Sequence, residues 1–264
     1  MENTSFLQRI INLFFIPSKA FDGLVDEVSY KDWLYPLIIV SLALLVLPYA
    51  YLDISLDEGA YHMDRAIQSI QNNSDIPEER SAMIIEGMQE ARENIEDARN
   101  NPFAFKYLWI KILIPIMLII SAAVFALILR LVGNFGMGGQ VKFIPIFTVV
   151  MMSYLIGGNG IFLNSLPGSG TLELLVKTPL IVMKESTRMM LSAGLLFDHV
   201  DSFVKQFVNQ IDIFRVWGMI VMGFGFAKLY NKSTATGIMA VGLPWLIFVS
   251  IGAALLQSNP ATAG

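Results

Sequence analysis

Few of the 264 residues carry side chains that could do chemistry, and their spacing argues against catalysis. Asp198, His199 and Asp201 suggest a metal site, but one helical face cannot gather all three. The other histidine, His62, is distant in sequence, so a solvated face fits these residues better. Gly168-Ser169-Gly170 lacks the Gly-x-Ser-x-Gly spacing of a nucleophile turn, and no histidine is placed as its base, so it reads as a loop. Gly157-Gly158-Asn159-Gly160 lies inside an apolar run. It is either an unwound binding site that exposes backbone dipoles or a close helix contact, and the second reading is favoured. The chain has no cysteine, which excludes disulfides, thiolate metal sites and thiol catalysis. No catalytic residue, cofactor or metal is expected, and the chain does not read as an enzyme.

The elements that position these residues are apolar. Hydrophobic residues make up 55% of the chain and charged residues 15%, against about 25% charged in soluble domains. Mean hydropathy is +0.58. Four uncharged runs, 34–52, 112–129, 143–163 and 236–256, are long enough to cross about 30 Å of hydrocarbon. A fifth, between Arg215 and Lys228, is short, and spans only if both cations snorkel to opposite interfaces. The expected spans are therefore 33–52, 106–132, 142–163, 211–230 and 236–257, with no ionisable side chain near their centres. That absence counts against a proton-coupled carrier, a metalloprotease or a voltage sensor. The net charge of −4 leaves no basic patch for nucleic acid.

Between the spans the composition changes sharply. Residues 53–105 hold twelve Asp/Glu and four Arg, whereas residues 233–264 hold no charge. Leu56, Ala60, Met63, Ile67 and Ile70 recur at intervals of four and three, as do Ile84, Met88, Ala91, Ile95 and Ala98. Two narrow seams joined by a turn at 72–77 predict an acidic antiparallel helical hairpin. Residues 1–32 read as amphipathic helices, either in the headgroup region or packed on the bundle. Ser29-Tyr30-Lys31-Asp32 forms a capping box before the first span. Residues 164–210 are expected to hold interfacial or re-entrant helices. Cations in the short loops near Arg130/Lys142 and Lys228/Lys232 place the N-terminus in the cytoplasm, with 53–105 and the uncharged C-terminus outside.

Three stretches carry a family resemblance. Pro17-x-x-Ala20-Phe21 precedes Asp32-Trp33-Leu34-Tyr35-Pro36, Ser153-Tyr154 lies in the third span, and Asp212-Ile213-Phe214-x-x-Trp217 opens the fourth. Together they resemble the Yip (Ypt-interacting protein) domain family in its bacterial form. The resemblance departs from the family's Asp-Leu-x-Gly-Pro motif at Trp33 and Tyr35, and from its Gly-Tyr at Ser153. It implies an all-α integral membrane protein of about five spans, in a bacterial cytoplasmic membrane. It marks Pro17, Phe21, Asp32, Pro36, Tyr154, Asp212, Phe214 and Trp217 as family-motif positions. The expected function is a non-enzymatic scaffold or accessory subunit. Its partners would be membrane lipid and another membrane protein, such as an ABC-type exporter or a trafficking complex. Glu86, Glu90 and Glu93 on the hairpin are the candidate partner-binding residues. The alternative is a channel or permease for lipid or a small hydrophobic solute.

Overall fold

The structure is a computed structural model that describes residues 5–24, 28–73, 76–158, 170–187, 191, 193 and 202–257. Every regular element in it is helical. The chain is an all-α integral membrane protein. Among the described residues, three helical segments are long and apolar enough to cross a membrane: Tyr30–Gln71, Lys111–Gly136 and Thr234–Ala254.

The N-terminal helices α1 (Phe6–Phe15) and α2 (Pro17–Ala20) lie at one end of the bundle. Ser5 caps α1 through the Gln8 amide, and Pro17, whose fixed φ suits a first helical position, opens α2. The expected capping box then starts α3 (Tyr30–Val46): Ser29 accepts from the Lys31 amide while Asp32 accepts from the Ser29 amide.

A short 3-10 turn (Leu47–Tyr51) carries α3 into α4 (Leu52–Gln71), so the first span runs on directly as one arm of the hairpin. The returning arm is α5 (Glu78–Asn100). All ten seam residues predicted from the spacing are half-buried, and neither arm has a fully buried side chain. Arg92–Asp64 at 3.0 Å and Arg99–Asp57 bridge the arms. The hairpin is tied to its base. Phe103 stacks on Tyr49 at 5.1 Å, and the Lys111 ammonium lies 3.7 Å from the Tyr49 ring centroid. Lys111, a cation on the side expected to be poor in them, thus sits on an aromatic face.

Helix α6 (Phe105–Leu131) returns to the N-terminal end and finishes in a single π turn at Val132–Gly136. There Asn134 pairs with both backbone groups of Val141 and accepts from the Tyr230 hydroxyl at 2.7 Å.

The third span departs from the expected uninterrupted helix over 142–163. Helix α7 (Phe143–Ser153) has only 11 residues, and α8 (Thr171–Lys184) stands end to end upon it. The Thr171, Leu172 and Glu173 amides donate to the Tyr154, Leu155 and Ile156 carbonyls at 3.1, 2.9 and 3.1 Å. These bonds join the end of α7 to the start of α8 as an α-helical ladder would. Together α7 and α8 extend roughly 37 Å at 1.5 Å per helical residue, enough to cross the hydrocarbon. Part of the 164–210 stretch, α8, therefore continues the helical path of α7.

The last helices are α9 (Ser202–Gln210), α10 (Ile213–Leu229) and α11 (Thr234–Gln257). α10 and α11 form an antiparallel pair with close contacts: a methyl at Gly223 would lie 2.6 Å from the Ile238 Cα. The core centres on α7, whose residues 146–153 are all buried, with Leu118 and Phe125 of α6 and Val221 and Phe226 of α10 around it.

The junction of α7 and α8 has no room for side chains. A methyl on Gly157 would overlap the Phe214 carbonyl, and one on Gly170 would overlap the Gly157 backbone. Gly157→Ala should destabilise the purified protein by about 1–3 kcal/mol, as overpacking does. Gly87→Ala, with open space around it on α5, should be neutral or gain up to about 1 kcal/mol. Thermal unfolding of the two variants in the same detergent checks both, and equal midpoints would refute the tight junction.

Candidate functional site

The helix junction brings together a group of buried charges. Glu173 lies in the first turn of α8, where its negative charge suits the helix N-terminus, and it accepts from the Gly170 amide at 3.3 Å. Lys177 follows one turn later on the same face, the spacing at which opposite charges meet. Its ammonium contacts Glu173 Oε1 at 2.7 Å and Asp212 Oδ2 at 2.8 Å.

Asp212 is the N-cap of α10. Its Oδ1 accepts from the Phe214 amide at 2.9 Å, which leaves Oδ2 for Lys177. Arg215, in the first turn of α10, donates through Nη1 to Gln210 Oε1 at 2.6 Å, and its Nε lies 3.9 Å from Glu173 Oε1. All five residues are buried, Glu173 completely. Two carboxylates face two cations, so the cluster carries no net charge.

This cluster corrects two sequence expectations. Arg215 turns into the protein and pairs with Gln210 and Glu173, where snorkelling to an interface was expected. The helical path that α7 begins carries buried ionisable residues further on, because α8 supplies Glu173 and Lys177. The signal was present in the four-residue spacing of Glu173 and Lys177 and the three-residue spacing of Asp212 and Arg215. It was hidden because 164–210 did not read as part of a span.

The family-motif positions fall into two groups. Around the junction, the Tyr154 carbonyl receives the first amide of α8, and its hydroxyl reaches Ser121 Oγ on α6 at 3.4 Å. The Phe214 carbonyl packs on Gly157, and Asp212 holds Lys177. Trp217 faces outward, lining an apolar groove with Leu172, Ile213 and Ile220.

At the N-terminal end, Asp32 is buried 3.6 Å from Arg9, and Phe21 packs beneath Gly225 of α10. Pro17 opens α2, and Pro36 is buried inside α3.

Glu86, Glu90 and Glu93 lie exposed on α5, far from both groups in sequence. Among the described residues no three His, Asp or Glu side chains converge in a metal-binding group. Asp198, His199, Asp201, Asn159, Gly160, Gly168 and Ser169 lie outside the described residues. Gly157 is a contact point: its backbone meets both Phe214 and Gly218.

The geometry makes the cluster a clamp between α8 and α10. A family model described as Yip1 domain matches residues 11–256, a range that includes the hairpin. No curated protein and no solved structure matches the chain.

Removing one charge should leave its partners buried without compensation. Lys177→Met is expected to cost about 3–5 kcal/mol. Lys177→Met with Asp212→Asn removes one charge of each sign, and Asn retains a capping oxygen. That double variant should be more stable than the sum of the two single effects by about 1 kcal/mol or more. Thermal midpoints for the three variants test this, and strict additivity would rule out the pairing.

Proposed function

The chain belongs to the Yip1 domain family, a family of membrane proteins and not of enzymes, and from that premise we propose that it is a non-enzymatic scaffold or accessory subunit that binds another membrane protein. The observation that carries this reading is the α4–α5 hairpin. Its two arms bury no side chain completely and contribute little to the core. It is nevertheless held firmly on the end of the first span. Glu58 accepts from the Ser186 hydroxyl at 2.6 Å and from the Thr187 amide at 3.1 Å, fixing α4 to the far end of α8. An arm of about 30 Å, rigidly mounted and covered in carboxylates, is suited to meeting a basic surface on a neighbour.

The solute-pathway reading has less support. Its proposed route passes Gly157, where the backbones of α7, α8 and α10 are in contact. The buried charges nearby are paired with one another rather than turned toward a channel.

We place the protein in a bacterial cytoplasmic membrane with its N-terminus inside. The loop cations support that orientation. Reporter fusions after Asn73 and at Gly264 should both read outside, and an inside signal at either position would overturn the topology.

Glu86→Gln, Glu90→Gln and Glu93→Gln together change charge with little change in helix propensity. Isolated from its native membrane in mild detergent at low salt, the triple variant should recover about threefold less of a co-purifying membrane protein, and high salt should narrow the difference. Equal recovery at both salt concentrations would make the hairpin a spacer and shift the search to α1 and α2.

A further inference from the structure

Helix α1 turns its charge inward and its large apolar side chains outward. Arg9 is 6% exposed. Its Nη1 donates to the carbonyls of Ala20 at 3.2 Å and Asp22 at 2.8 Å, and its Nε faces Asp32 of α3 at 3.6 Å. Asn12 and Leu13 are buried beside it. On the other side Leu7, Ile11 and Phe15 follow one another every four residues and are 67%, 43% and 80% exposed. Phe135, 83% exposed in the π turn of α6, lies at the same end of the bundle. Water would solvate such a stripe poorly, since each large apolar side chain gains by leaving it.

The charges around the stripe indicate what covers it. Lys19, Lys31, Arg130, Lys142 and Lys232 are all exposed at this end. Asn134–Tyr230, Lys228–Asp22 and Arg9–Asp32 tie the segments that carry these cations to one another. Among the described residues only two carboxylates lie here, and both are ion-paired: Asp22 with Lys228 and Asp32 with Arg9. An apolar stripe bordered by cations, at the end of a membrane-spanning bundle, complements a bilayer surface that presents acyl chains below and phosphates above.

We propose that the outer face of α1, together with Phe135, is seated in the lipid leaflet at the N-terminal end of the bundle, and that the surrounding cations select anionic phospholipid headgroups. The buried Arg9–Asp32 pair ties this lipid-seated helix to the first turn of α3, so lipid that binds α1 also steadies the entrance of the first span.

The chain lacks cysteine, so single-cysteine variants are clean probes. Leu7→Cys, Ile11→Cys and Phe15→Cys would each carry an environment-sensitive fluorophore in the full-length protein. Met83→Cys on the hairpin serves as the aqueous control. In phosphatidylcholine/phosphatidylglycerol liposomes the three α1 labels should emit further to the blue than the control. Lipids spin-labelled in the acyl chain should quench them about twofold more strongly than the control. Labels as water-accessible as the control, or shielded from the lipid-borne quencher, would overturn the proposal.

Headgroup selection is read separately, from the preference of the protein's lipid shell for spin-labelled phosphatidylglycerol over phosphatidylcholine. Lys19→Gln, Lys31→Gln and Lys142→Gln together should lower that ratio about threefold or more, with the α1 label spectra unchanged. An unchanged ratio would remove the anionic selection.

Discussion

A backbone amide that leaves a helix inside an apolar bundle finds no water to bond, so the protein must close every interruption itself. The helical path of α7 is broken after Ile156 and resumes in α8 at Thr171, and three amide–carbonyl bonds across the break continue the helical ladder. Much of the architecture follows from that closure. The two chain ends can meet only where Gly157 and Gly170 lie side by side, and α10 can cross there only because Gly218 also lacks a side chain. The buried residues of α7 then become the centre on which α3, α6 and α10 pack.

Buried charge holds what the closure positions. α8 is tied to the start of α10 because Lys177 joins Glu173 below it to the N-cap residue Asp212. At the opposite end Arg9 ties α1 and the residues after α2 to Asp32 of α3. Each group links segments far apart in sequence. Such pairs are weak sources of net stability, because desolvation offsets much of their attraction, but leaving one partner alone is costly. Their main effect here is to make one arrangement of helices much better than its neighbours.

The protein's two ends therefore have opposite chemistry. Interior charges are neutralised in pairs, whereas exposed carboxylates crowd the hairpin and exposed cations surround α1. The far end of α8 also holds the hairpin, since Glu58 accepts from Ser186 and Thr187 just beyond that helix. The bundle presents an acidic helical arm at one end and an apolar stripe bordered by cations at the other. The same bundle keeps the two surfaces at a fixed separation.

Residue order alone determines the membrane class, the acidic hairpin with its seams and the Ser29 capping box, because each rests on local periodicity or on caps within four residues. The family motif is legible for the same reason: its residues lie in short, recognisable groups. The end-to-end pairing of α7 with α8 and its charge cluster are not legible in this way. Amides 171–173 bond carbonyls 17 residues earlier, and Lys177 meets Asp212 across 35 residues, so no local pattern records either pairing. Arg215 could have reached an interface or turned inward, and only the presence of Gln210 and Glu173 in the packed structure decides for the interior. Tertiary structure also decides which face of α1 looks outward. A helical repeat places Leu7, Ile11 and Phe15 on one side, but it is the buried carboxylate of Asp32, contributed by another helix, that draws Arg9 inward and leaves the apolar stripe exposed.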